Sequence, residues 1–119
     1  MKWGSLAATA EEAVSHNAKI RKRVIMRRGD VPHLTQISLA TFPPGEIAAA
    51  HSHPDMWEIF LCDAGEGVMT VNGKDIPLKP GTWVVVEPND VHQVRSDNDS
   101  MMVLSVVGVE QPKLLVCKQ

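Results

Sequence analysis

The run Val68-Met69-Thr70-Val71-Asn72-Gly73-Lys74-Asp75-Ile76-Pro77-Leu78 decides the fold class of this chain. A short strand meets Asn-Gly, the pair most typical of a two-residue type I′ turn, and Lys74 to Leu78 returns as its partner. The same alternation of strand and turn continues on both sides. Downstream, Lys79-Pro80-Gly81 turns the chain into Thr82-Trp83-Val84-Val85-Val86. Upstream, Trp57 to Cys62 ends at Ala64-Gly65-Glu66-Gly67, and Leu34 to Phe42 is closed by Pro43-Pro44-Gly45. Arg21 to Met26 leads into the turn-like cluster Arg28-Gly29-Asp30-Val31-Pro32. Strands thus recur about every ten residues from position 20 to position 109, with no ordinary helix between them, which predicts an all-β sandwich or barrel.

Outside that region the pattern changes. Leu6 to Ala18 is rich in Ala and Glu and reads as a short helical turn or a loose arm. The expected organisation is an N-terminal arm over 1–19 and one barrel domain over 20–119, with Leu114-Leu115-Val116 as a last edge strand. At 119 residues, one domain is the natural count, and no repeat or linker divides it. Twelve Lys and Arg against 14 Asp and Glu leave a charge of −2, so there is no basic footprint for nucleic acid or an anionic membrane. No apolar run approaches the ~20 residues of a membrane span, and Gly4, Ser5, Thr9 and Glu11 break any signal-peptide pattern. Cys62 and Cys117 lack the CxxC spacing of a zinc or redox pair and read as small reduced apolar groups. A cytoplasmic location is expected.

Chemistry concentrates in Gly45-Glu46-Ile47-Ala48-Ala49-Ala50-His51-Ser52-His53-Pro54-Asp55-Met56-Trp57-Glu58. In a strand, residues two apart share a face ~6.6 Å from each other, so His51 and His53 can grip one ion. Pro54-Asp55 resets the alternation, and parity leaves open whether Glu58 or Trp57 points inward. His92 opens a further strand after the turn Glu87-Pro88-Asn89-Asp90. Three imidazoles and a carboxylate suit Mn, Fe, Ni, Cu or Zn, and the lack of thiolate argues against a structural zinc knot.

The spacing Gly45-x5-His51-x-His53-x4-Glu58-x6-Gly65 resembles the first motif of the cupins at every fixed position. In the second motif Gly81 and His92 match, whereas Glu87, Asn89 and Ser96 stand for the family's Pro, Gly and Asn. Asn89 is a mild departure, because Asn tolerates the left-handed conformation that Gly supplies. The resemblance implies a cupin β-barrel, a double-stranded β-helix or jelly roll, with His51, His53, Glu58 and His92 as ligands of Mn or Fe. It implies a dioxygenase- or oxidase-like reaction on a small organic molecule. The alternatives are a non-enzymatic metal- or ligand-binding or sensing module and a cupin isomerase. A homodimer in which the N-terminal arm pairs with the partner's sheet is also implied.

The remaining residues receive plainer readings. His16 and His33 are solvated loop residues. Trp57, Gln93 and Arg95 face outward if Glu58 and His92 face the metal, while Phe60, Cys62, Val94 and Ser96 share the inner face. Arg21-Lys22-Arg23 and Arg27-Arg28 place five cations within eight residues, the composition of a solvated strand edge that resists aggregation.

Overall fold

The computed structural model describes residues 1–112; the edge strand expected at Leu114–Val116, and Cys117, lie outside the described residues. A 3-10 turn at Leu6–Ala8 is followed by ten strands: β1 Glu11–Val14, β2 Asn17–Arg27, β3 Leu34–Phe42, β4 Ile47–His51, β5 Met56–Ala64, β6 Gly67–Val71, β7 Lys74–Leu78, β8 Trp83–Val86, β9 His92–Ser96 and β10 Met102–Glu110. They form a six-stranded sheet in the order β1-β2-β3-β10-β5-β8 and a four-stranded sheet in the order β4-β9-β6-β7. All pairings are antiparallel. This is a jelly roll built from two stacked open sheets rather than one closed barrel. Its core is the apolar layer between them, including Ile20, Phe42, Phe60, Cys62, Met69, Leu78, Met102 and Leu104.

Alternation explains which side chains enter that layer. On β3, Ser38, Ala40 and Phe42 are buried, and on β10, Met102 and Leu104 are. On β8 the buried residues are Val84 and Val86, so Trp83 and Val85 face out. The β6–β7 turn has φ of +49° at Asn72 and +82° at Gly73, as a type I′ turn requires. Asn72 also does long-range work. Its N–H donates to Val91 O at 2.8 Å, its Oδ1 accepts from Val91 N at 2.9 Å, and its Nδ2 donates to Asp90 Oδ1 at 2.8 Å. The turn that announces the fold therefore clamps the segment that delivers His92.

The N-terminal expectation holds for a short helical turn, at Leu6–Ala8, and needs correction beyond it. Glu11–Val14 is neither helical nor loose; it forms β1, paired with β2 within the same chain, and β2 itself runs across the expected boundary at residue 19. The basic run is consequently not a free edge, since β2 lies between β1 and β3. The two acids of β1 meet its cations: Glu11 lies 3.0 Å from Arg21 and 3.7 Å from Arg23, and Glu12 lies 2.8 Å from Arg27. Cross-strand charge pairs of this kind contribute roughly 0.2–1 kcal/mol each.

Candidate metal centre

His51, His53, Glu58 and His92 are brought together at one end of the cavity between the sheets, and one ligand atom from each lies within 4.8 Å of the others. Three strands and a loop position them. His51 is the last residue of β4 and sits directly opposite His92 on β9, with ring centroids 4.3 Å apart. Between Ala48 and His51, β4 runs three residues against two on β9, a bulge. Simple alternation from Ala48, which lines the cavity, would turn His51 outward; the extra residue turns it back. His53 lies beyond the end of β4, so HxH strand alternation is not what places it. Its loop is held instead by Asn89 N–H, which donates to His53 O at 2.7 Å.

Asn89 has φ of +72°, the left-handed conformation foreseen for it, and it joins the two loops that carry His53 and His92. Glu58 comes from the middle of β5, where Met56, Glu58 and Phe60 line the cavity. Trp57 is on the opposite side and donates its Nε1–H to Gln111 Oε1 at 2.5 Å. Phe60 packs beside His92 at 6.0 Å between ring centroids. Cys62 belongs to the apolar core, where burial pushes its thiol above the ordinary range and leaves it inert. Ser96, standing where the family has Asn, is a structural tie: its Oγ–H donates to Pro43 O at 2.6 Å and it accepts from Glu46 N at 3.0 Å.

The arrangement fits a metal ion. His51 Nδ1 lies 2.9 Å from Ala49 O and His92 Nδ1 lies 3.0 Å from Asp90 O. A carbonyl oxygen only accepts, so both Nδ1 atoms carry the proton and both Nε2 lone pairs are free for an ion. His92 is 1% exposed, and its Nε2 and Glu58 Oε1 are buried without a hydrogen-bond partner. These two atoms are 3.1 Å apart, and His53 Nε2 is 3.2 Å from the same oxygen. Two donors at right angles, each ~2.1 Å from one ion, would be about 3.0 Å apart. With the His92 proton on Nδ1, His92 Nε2 and Glu58 Oε1 are facing acceptors, an unfavourable contact that a shared ion, or a proton on Nε2, relieves.

The electrostatics point the same way. Burial acts to raise the Glu58 carboxyl, but the imidazoles of His92, His53 and His51 outweigh it and hold it below the ordinary 4.5. Burial likewise acts to lower His92, and the nearby Glu58 and the Asp90 carbonyl more than offset that, so it lies above 6.5. His53 is lowered, chiefly by burial. In the metal-free chain the depressed Glu58 contributes stability above its unfolded value that is lost as pH falls through its folded value. The raised His92 contributes stability below its unfolded value that is lost as pH rises through its folded value. Both contributions are present between pH 4.5 and 6.5. A bound ion reverses the upper limit, because it needs neutral imidazoles. The difference in Tm between metal-loaded and metal-free protein is therefore expected to widen from about pH 6 to pH 8 in calorimetric scans. A difference that shrinks over that range would mean the histidines do not hold the ion.

One lining residue is not legible in the sequence. The cavity, about 590 Å³, is also lined by Val14 of β1, by Ser15 and His16 of the β1–β2 turn, and by Lys22 and Gln36. His16 was read as a bystander because nothing in its neighbourhood signals the β1 fold-back. His33 is where it was expected, exposed in a turn with φ of +68°.

The match to the family model described as "Cupin domain" covers residues 38–108. The chain belongs to the cupin family. Among curated relatives, it is 33% identical over 66 residues to an oxalate-binding protein of Thermotoga maritima, covering 55% of this chain and 54% of that one. It is 33% identical over 72 residues to a quercetin 2,3-dioxygenase of Bacillus subtilis, covering 59% of this cupin and 21% of the enzyme. With the L-ectoine synthase of Vibrio campbellii it shares 37% over 51 residues, 42% of this cupin and 40% of the synthase. The matches thus span about half or less of these relatives' lengths. Solved structures share the fold at low identity. A predicted oxalate decarboxylase of Thermotoga maritima superposes with a TM-score of 0.82 at 19% identity, over 90% of this cupin and 97% of that chain. A polyketide cyclase of Streptomyces resistomycificus gives 0.78 at 16%, over 94% and 82%.

Proposed function

We propose that this cupin is a metal-dependent enzyme in which His51, His53, Glu58 and His92 hold Mn or Fe. The proposed reaction is dioxygenase- or oxidase-like, on a small organic molecule. The observation that carries the reading is the convergence of buried, hydrogen-bond-free His92 Nε2 and Glu58 Oε1 on the same point as two exposed-side histidines. Bound there, a redox-active divalent ion supplies Lewis acidity and an electron path to substrate. The chain's own contribution is orientation and dryness: Ala48, Phe60, Val94, Leu104 and Val106 give the cavity apolar walls, and Asp90 O and Ala49 O keep the imidazole protons away from the ion. The quercetin 2,3-dioxygenase among the relatives supports the oxidative class.

The oxalate-binding relative favours a second reading, in which the same centre binds a small ligand without turning it over. The two part on one experiment. Protein purified without added metal is assayed by elemental analysis, then by oxygen uptake against a panel of small organic substrates. About one ion per chain with substrate-dependent oxygen uptake supports the enzyme. One ion with tight binding and no oxygen uptake supports the binding module. Less than about a tenth of an ion, with no uptake on soaking, removes both.

We place the protein in the cytoplasm, a reading supported by the free, buried thiol of Cys62. Among the described residues no helix is long and apolar enough to cross a membrane. A homodimer is supported by the outer face of β5 and β8, where Ile59 pairs with Val85 and Leu61 with Trp83, and Trp83 is 68% exposed. Scattering at the mass of one chain would remove it.

A further inference from the structure

Lys22 stands in the cavity wall and has no part in the centre described above. It is an inward residue of β2, paired with inward Ala40 of β3, and its side chain leans along the sheet so that Nζ donates to Gln36 Oε1 at 3.4 Å. Its neighbour across β1 is Glu12, but that carboxylate is engaged by Arg27 at 2.8 Å. Among the described residues Lys22 forms no ion pair. The half-buried ammonium is hydrogen-bonded only to a neutral carboxamide and feels the Glu12 carboxylate at longer range, so it can still take an anion at close quarters.

The sheet register says where that anion would lie. Gln36 pairs with Gly108 of β10, and Gly108 pairs with Glu58 of β5, so Gln36 and Glu58 occupy one row two strands apart. Two strand spacings are ~10 Å. The middle position is glycine, and the place its Cβ would take is already filled, 2.1 Å from Thr35 Oγ1 and 3.6 Å from Met56 Sδ. One end of the cavity thus offers three imidazoles and a carboxylate, and the other a cation with an amide.

Resting on the metal reading above, we propose that the cavity binds an elongated organic acid, its carboxylate on Lys22 Nζ and Gln36 and its other end at the His/Glu centre. An ion of charge +2 with Glu58 leaves that centre net positive, so both ends favour anionic groups. The ~10 Å backbone separation of Gln36 and Glu58 makes a five-carbon dicarboxylate the first probe and a two-carbon one the short control.

The test uses full-length protein loaded with Mn, its metal content measured first, and calorimetric titration with glutarate and with oxalate. Lys22→Met is expected to keep wild-type metal content and wild-type oxalate binding, because oxalate is too short to span, while glutarate weakens about tenfold or more. Lys22→Arg, which retains the charge, is expected to stay within a few-fold of wild type. Glutarate binding equal in wild type and Lys22→Met overturns the proposal. So does oxalate weakening in step with glutarate, or no glutarate binding by the loaded wild type. A chain that takes up no metal fails at the elemental analysis and overturns the underlying reading separately.

Discussion

The double substitution H51A/H53A is expected to give a folded chain that takes up no metal. His51 is exposed and His53 half-buried, so removing both rings costs the apolar core nothing, and about 1 kcal/mol or less of stability is expected to go. The effect on metal is far larger. Structural sites gather about 10–16 kcal/mol from four ligands, or roughly 3 kcal/mol each, so two losses weaken binding on the order of 10⁴-fold. His92 and Glu58, left as a close pair, make no site for a transition metal by themselves. Elemental analysis should fall from about one ion per chain to below about a tenth, with the circular dichroism spectrum unchanged. Wild-type metal content in the double variant would place the centre elsewhere.

Gly65→Ala is expected to do the reverse, strongly destabilising the fold while touching no ligand. Gly65 ends β5's turn with φ of +75°, and an added Cβ would lie 2.0 Å from Met101 O and 2.7 Å from Met102 Cα. Both obstacles are backbone of the strand entering the core at Met102, which is fully buried, so neither can step aside. Strain plus displacement should cost about 3 kcal/mol or more, a large share of the ~5–15 kcal/mol that holds a domain this size. Gly81→Ala is the control. It has φ of +92° but open space around it, and only the conformational cost of ~1–2 kcal/mol applies. Urea midpoints for the two variants that coincide would contradict this ranking. The motif makes these glycines look equivalent; their surroundings do not.

Much of the fold was legible because turn chemistry is local. β3 and β7 begin and end where sequence punctuation places them, since Pro43-Pro44-Gly45 and Asn72-Gly73 act on their own backbone. The four candidate ligands were legible too, through spacing and resemblance, and the structure gathers them at one end of one cavity. Their geometry was less so. Alternation accounts for His51 and His53 sharing a face only in a regular strand, and the actual placement depends on a bulge and on Asn89 bonding His53 O. The choice between Glu58 and Trp57, which parity left open, falls to pairing of β5 with β10 and β8.

The N-terminal segment is illegible in the sequence for a different reason. Glu11-Glu12-Ala13-Val14 has little strand preference by itself; it is strand because β2 offers it an edge and the cations Arg21, Arg23 and Arg27. That partner is distant information no local pattern carries.

By itself, then, the sequence determined the strands beyond β1, their turns and the donor set, because backbone conformation and ligand chemistry reside in individual residues and short spacings. Tertiary structure alone decided that His92 Nε2 and Glu58 Oε1 meet 3.1 Å apart, that β1 folds back to bring His16 to the cavity, and that Lys22 lines the same cavity. Each of these is a relation between strands far apart in the chain, set by register and burial, and such relations exist only once the sheets have closed on one another.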